Sequence, residues 1–139
     1  MKLMGFNFTK INVERIGGSG ENLKINTNID VSDIEKAEID LFKGKEEILA
    51  VKFKYGIDYD PKYAKINFEG NILISLDSKQ AKKAISEWKD KKVSDDIKFF
   101  IFTIILRKAN VKALQLEDEM NLPFHIPMPK ISRDNKQEN

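Results

Sequence analysis

Apolar and polar residues alternate along much of the first half of the chain, which is the pattern of β-strands that bury one face. The alternation is clearest in two stretches. Apolar residues take the odd positions from Leu49 to Tyr59 and the even positions from Ala64 to Ile74, with mostly charged and amide residues between them. We therefore predict two long antiparallel strands that share one apolar face and are joined by a turn at Asp60-Pro61-Lys62.

The stretch before these strands is less regular. Residues 5 to 16 start with Phe6 and Phe8 and continue with Ile11 and Val13, so the parity changes and indicates a bulge, or a strand buried on both faces. The glycine cluster at 17 to 20 lacks the Lys-Ser/Thr of a phosphate loop and is interpreted as a flexible connection.

Residues 22 to 31 alternate cleanly and predict a half-buried antiparallel strand. Residues 31 to 42 are ambiguous between a helical turn and a strand. We favour a short turn at Ser32-Asp33 followed by a strand, with a hairpin turn at Lys43-Gly44-Lys45.

Two helices are predicted after the strands. Asp77 or Ser78 caps the first, with Gln80 placed to close a capping box, and the helix runs for about three turns to Trp88. Ser94 caps the second, and Pro123 stops it. The second helix carries an i,i+4 row of apolar residues formed by Ile97, Ile101, Ile105, Ala109 and Ala113.

The run from Phe99 to Leu106 makes this second helix unusual. Every residue of the run except Thr103 is apolar, so the helix is apolar on all sides for two turns and must be covered all round. The run is too short to span a bilayer, which takes about 20 apolar residues. We therefore expect the sheet to cover one side of the helix and a partner subunit to cover the other.

The strands-then-helices order predicts an α+β fold. At 139 residues the chain is long enough for one domain, which we place at residues 1–131, with a disordered tail at 132–139. The proline-bearing segment from Leu122 to Ile131 is predicted to be extended and apolar enough to lie along this domain.

Composition and charge narrow the class of protein. The 24 basic and 22 acidic side chains are interspersed, which argues against an obligate nucleic-acid partner. The absence of cysteine excludes disulfides and thiolate metal sites and fits a reducing compartment. The first residues lead into a strand pattern without the apolar core of a secretory signal, so we expect a cytoplasmic protein without membrane insertion.

Catalytic chemistry has weak support in the residues. His125 is the single histidine, and its apolar, proline-rich surroundings favour a packed or half-exposed side chain over a base or metal ligand. Asp58, Asp60 and Glu69 fall on the polar face of the predicted strands, where a solvated surface explains them at least as well as acid–base catalysis. We expect no enzymatic activity, no metal and no cofactor.

The order of elements resembles a known family. Four antiparallel strands, the first with a Phe-x-Phe-x-x-x-x-Val segment from Phe6 to Val13, precede a short helix, a long helix and a Leu-Pro-x-x-x-Pro segment from Leu122 to Pro127. This resembles the SecB-like protein-export chaperones, and in particular the small SecB-like proteins of archaea. The resemblance implies an α+β fold with a four-stranded antiparallel sheet followed by a short and a long helix.

The resemblance also implies an ATP-independent holdase that binds unfolded polypeptides and assembles as a homotetramer, a dimer of dimers with the long helices at its centre. It places the oligomer interface at Ile97, Phe100, Ile101, Ile104, Ile105 and Lys108. It places a client-binding groove near Leu41, Phe42, Phe53, Tyr55, Leu122, Phe124 and Ile126.

Two departures from the family stand in the sequence. The chain lacks the further C-terminal helix of the bacterial export chaperone, and its outward sheet face carries Lys52, Lys54 and Lys65 where that chaperone is acidic. Docking to a translocation motor is therefore not implied. The alternative hypothesis is a small dimeric adaptor or apolar-ligand-binding module with one specific partner, which would ignore generic unfolded chains.

Overall fold

The computed structural model describes residues 1–38 and 46–133. It contains four strands and then two helices. In chain order they are β1 (Lys2–Arg15), β2 (Lys24–Ala37), β3 (Glu46–Asp60), β4 (Ala64–Asp77), α1 (Ser78–Trp88) and α2 (Asp95–Glu119). The predicted α+β class, a four-stranded antiparallel sheet followed by a short and a long helix, is confirmed.

The strands are ordered β1-β4-β3-β2 across the sheet, and every neighbouring pair is antiparallel. β1 and β2, which follow each other in the chain, therefore form the two edges, and residues 16–23 connect them. This connection wraps around Tyr63, whose carbonyl oxygen accepts a hydrogen bond of 2.8 Å from the Ile16 amide. Gly20 has φ +73° and lies against the Tyr63 ring, a position that suits glycine.

The predicted shared face of β3 and β4 is confirmed. The odd residues of β3 from Leu49 to Tyr59 and the even residues of β4 from Ala64 to Ile74 are all buried. Tyr59 pairs with Ala64 beside the tight turn at Asp60-Pro61-Lys62, as predicted. The core lies between this face and the two helices.

The predicted bulge in β1 is also confirmed. The register with β4 shifts between Phe8 and Lys10, so that Phe8 lies opposite Gly70 and Ile11 lies opposite Phe68. The extra residue of the bulge shifts the alternation of the side chains by one position. Apolar residues of both parities therefore face the same side of the sheet.

The predicted turn at Ser32-Asp33 is wrong. β2 continues through these residues to Ala37 and accommodates the change of parity by a register shift between Val31 and Asp33. The Asp33 carboxylate accepts hydrogen bonds from the Ile34 amide at 2.9 Å and from Trp88 Nε1 at 3.2 Å. These hydrogen bonds stabilise the bulge at Asp33, so the chain continues as a strand here and does not turn. The predicted hairpin turn at Lys43-Gly44-Lys45 lies outside the described residues.

Both helices begin where the capping residues predict. The Asp77 carboxylate accepts a hydrogen bond of 2.7 Å from the Gln80 amide, and α1 buries Ala81 and Ala84. Ser94 occupies the N-cap position of α2, although its hydroxyl makes no capping hydrogen bond. Asp95 and Asp96 complement the positive end of the helix. No helix in the described part of the chain has the length and apolar content to span a membrane.

Candidate functional site

The exposed side of α2 is the first surface of interest. The predicted i,i+4 row is buried from Ile97 to Ala113 and continues to Glu117. On the other side of the helix, 78% of Phe99 and 40% of Leu106 are exposed, and they line a shallow depression with Phe102 and Thr103. We call these four residues the α2 outer face. The domain therefore covers one side of the apolar run and leaves the other open.

The residues proposed for the oligomer interface divide between these two sides. Ile97, Ile101 and Ile105 lie in the buried row and belong to the core of the domain. Phe100 and Ile104 are half-buried along its flank, and Lys108 is exposed. An i,i+4 row follows one side of a helix, so the first three residues present little surface to a second subunit. Phe99 and Leu106, which the projection omitted, present more.

The second surface is built by residues 122–131, called here the C-terminal segment. The chain reverses at the end of α2 through Asn121, which has φ +53°. The amide of Leu122 donates to the Glu117 carbonyl at 2.8 Å and that of Asn121 to the Asp118 carbonyl at 3.3 Å. This pair of bonds is a Schellman motif, and it ends the helix with the Leu122 side chain buried. The segment then folds back onto the helix.

A buried polar cluster fastens the C-terminal segment to the domain. Glu117 is fully buried, and only 3% of the His125 side chain is exposed. The Glu117 carboxylate accepts hydrogen bonds from the His125 amide at 3.1 Å and from the Tyr59 hydroxyl, and His125 Nδ1 lies 2.9 Å from its Oε1. A buried carboxylate requires such partners, and one histidine supplies two of them.

The other ring nitrogen of His125 completes the cluster. Its Nε2 lies 3.0 Å from Asn110 Oδ1 and 3.2 Å from the Tyr55 hydroxyl, which itself donates to Asn110 Oδ1 at 2.8 Å. Both ring nitrogens therefore face oxygen atoms, and each proton that the ring carries has an acceptor. The expectation that His125 is a packed side chain is confirmed.

Two tyrosines beneath the segment are electrostatically perturbed. Burial first, and then the charge of Glu117, raise the pKa of Tyr55 above its ordinary value. Burial, the hydrogen bond to Glu117 and the negative charge of Glu117 raise the pKa of Tyr59 as well. Both phenols therefore stay protonated and act as hydrogen-bond donors at neutral pH.

The residues proposed for the client groove occupy different environments. Phe53 and Tyr55 are each 1% exposed and form part of the core. Leu122 is buried, Ile126 is half-buried and Phe124 is 40% exposed. Leu41 and Phe42 lie outside the described residues. Within the described chain, Phe124 and Ile126 are thus the members that present apolar surface.

The acidic residues considered for catalysis do not belong to the buried polar cluster around Glu117 and His125. Asp58 and Glu69 line a polar depression, and Glu69 lies 3.8 Å from the amino groups of both Lys10 and Lys54. Surface pairs of this kind contribute little to stability. Among residues 1–38 and 46–133, no group of three or more acidic or histidine side chains is arranged to hold a metal ion.

Sequence reasoning missed Glu117 and Asn110. Extending the i,i+4 row by one step beyond Ala113 reaches Glu117, and that step places a carboxylate on the buried side of the helix. A buried carboxylate predicts a donor nearby, and the single histidine follows eight residues later. No comparable sequence pattern indicated a role for Asn110.

Comparison with known proteins yields a likeness to solved structures alone. No family model matches the sequence, and no curated protein matches it. Among solved structures, the chain is similar to the Mycobacterium tuberculosis SecB-like chaperone Rv1957 in complex with a ChAD peptide from the Rv1956 HigA1 antitoxin. The TM-score is 0.49 at 9% identity, and the match covers 95% of this chain and 91% of that chain.

Proposed function

We propose that the protein is a SecB-like holdase chaperone that binds non-native polypeptides in the cytoplasm without ATP and serves protein export. The observation that supports this proposal is the exposed, apolar α2 outer face. Phe99 is 78% exposed on a helix whose opposite side is fully buried, and Leu106 lies open beside it. An apolar surface of this kind on a small domain marks a site of interaction with protein.

The proposal assigns the α2 outer face to assembly and the C-terminal segment to clients. Burying a fully exposed large apolar side chain is worth about 1.5–3 kcal/mol. Phe99 is 78% exposed, so a second subunit that covers it gains a large part of this energy. In the proposed dimer of dimers, the long helices of two dimers meet through this face. An extended apolar client segment is proposed to bind at the other surface, where Phe124 and Ile126 of the C-terminal segment lie.

An aggregation assay tests the chaperone activity. We expect the protein at equimolar ratio to slow light scattering by a diluted unfolded client, with no nucleotide present. Unchanged aggregation with the wild-type protein would rule out the holdase.

A further inference from the structure

The C-terminal segment is attached to the domain at few points. Leu122 is 5% exposed and the His125 side chain 3%, whereas Phe124 is 40% exposed and the prolines on either side of the anchor, Pro123 and Pro127, are exposed. Beyond Ile126 the side chains are exposed. Its further contacts are the hydrogen bonds of the Leu122 and His125 amides and of the Pro123 carbonyl. A terminal segment with so few contacts opens more easily than the core.

His125 anchors the segment in a site that requires hydrogen-bond donors as well as a matching shape. His125 enters a site whose walls present oxygen atoms, from Glu117 on one side of the ring and from Asn110 and Tyr55 on the other. If the segment left without a replacement, the Glu117 carboxylate would lose two of its donors, the ring and the amide of His125. An apolar segment without a donating side chain would restore only part of these contacts.

We propose that residues 122–126 occupy a peptide-binding site of their own chain, and that an extended apolar segment with a histidine at the position of His125 displaces them. The proposal rests on the proposed function, because the displacing segment is a client. The chain's own segment shows the required chemistry: apolar residues on both sides of one imidazole. Displacement then exchanges one histidine for another, so no buried acceptor is left unpartnered.

The single histidine of the chain makes the displacement directly observable. In the full-length protein labelled with ¹⁵N in histidine, the ring signals of His125 report the bonded, buried state. An unlabelled peptide with the sequence of residues 121–131 is then added. We expect the labelled ring signals to shift to those of a free, solvated imidazole as the peptide saturates the site.

Two matched peptides test the requirement for the donor. Alanine in place of the histidine should weaken displacement at least tenfold, whereas alanine at the position of Phe124, which is partly exposed, should leave it nearly unchanged. Unmoved ring signals with the histidine peptide would overturn the proposal. Equal displacement by the alanine-for-histidine peptide would overturn it too. The ring signals do not depend on client aggregation, so this result and the failure of the holdase assay are distinguishable.

Discussion

Tyr55 and Tyr59 carry their hydroxyl groups from the sheet into the polar cluster that holds the C-terminal segment. Their side chains follow the apolar alternation of β3, which predicted them on its apolar face, and the family resemblance also placed Tyr55 near a client groove. Their hydroxyls needed partners from elsewhere. Those partners come from α2 and from the segment after it, at separations of 55 and 58 residues from Asn110 and Glu117.

The perturbed phenols predict a loss of stability at alkaline pH. Their pKa values are raised in the folded state, so the stabilisation is complete below the ordinary tyrosine pKa of about 10 and is lost as the pH rises above it. Each phenol contributes a slope of up to about 1.4 kcal/mol per pH unit. The free energy of unfolding in urea, measured from about pH 8 to 11, checks this. Tyr55→Phe should flatten the slope, and an unchanged slope would contradict the assignment.

Gly70 is a residue at which an added methyl group has no room. A Cβ there would lie 2.5 Å from the Asn7 carbonyl oxygen and 2.6 Å from the Phe53 ring. We expect Gly70→Ala to cost about 1–3 kcal/mol of unfolding free energy, because backbone or ring must move. Gly5→Ala is the matched control, since its nearest neighbour would be Leu73 Cδ1 at an ordinary 3.5 Å. Equal urea midpoints for the two variants would show that the sheet yields at Gly70.

At the scale of the elements, α2 shows how one apolar run serves two purposes. Its buried row packs on the sheet, while the α2 outer face is left for another molecule. The excess of apolar residues could be recognised in the sequence. The i,i+4 row from Ile97 to Ala113 marked the side that the structure buries. The interface residues projected from the resemblance nevertheless fell partly on this row.

A charge placed on each side of α2 separates these roles. Ile101 is fully buried, so Ile101→Asp should unfold or strongly destabilise the domain, at a cost of several kcal/mol. Val111→Asp, on the exposed side of the same helix, should change stability by less than about 1 kcal/mol. Urea denaturation followed by circular dichroism measures both. A stable, folded Ile101→Asp protein would mean that the buried row is not part of the domain core.

The strands were predicted well wherever alternation was uninterrupted, as in β3 and β4. β2 was divided wrongly because a bulge and a turn both change the parity of apolar residues, and only the partners of Asp33 decide between them. In β1 the sequence left a bulge and a strand buried on both faces open, and the register shift between Phe8 and Lys10 shows the bulge. The local alternation of apolar residues thus predicts the strands. Whether a strand is interrupted by a bulge or by a turn depends on contacts with residues distant in sequence.

For the whole molecule, the sequence predicted the class but not the strand order. The pairing of β1 with β4 depends on the connection at residues 16–23 wrapping around Tyr63, which no local pattern reports. The candidate site was predicted to a similar degree. An exposed apolar side of α2 and an anchored C-terminal segment were expected, whereas the Glu117 anchor depended on a contact between two distant elements.

Native mass in solution shows whether the α2 outer face joins subunits. We expect a mass near four times the chain mass of 16.0 kDa for the wild-type protein. When Phe99 and Leu106 are both replaced by Asp, we expect a smaller, folded species, because two exposed side chains that stabilise the interface become charged. A wild-type protein of 16.0 kDa, or a double variant whose mass equals that of the wild type, would mean that this face does not join subunits.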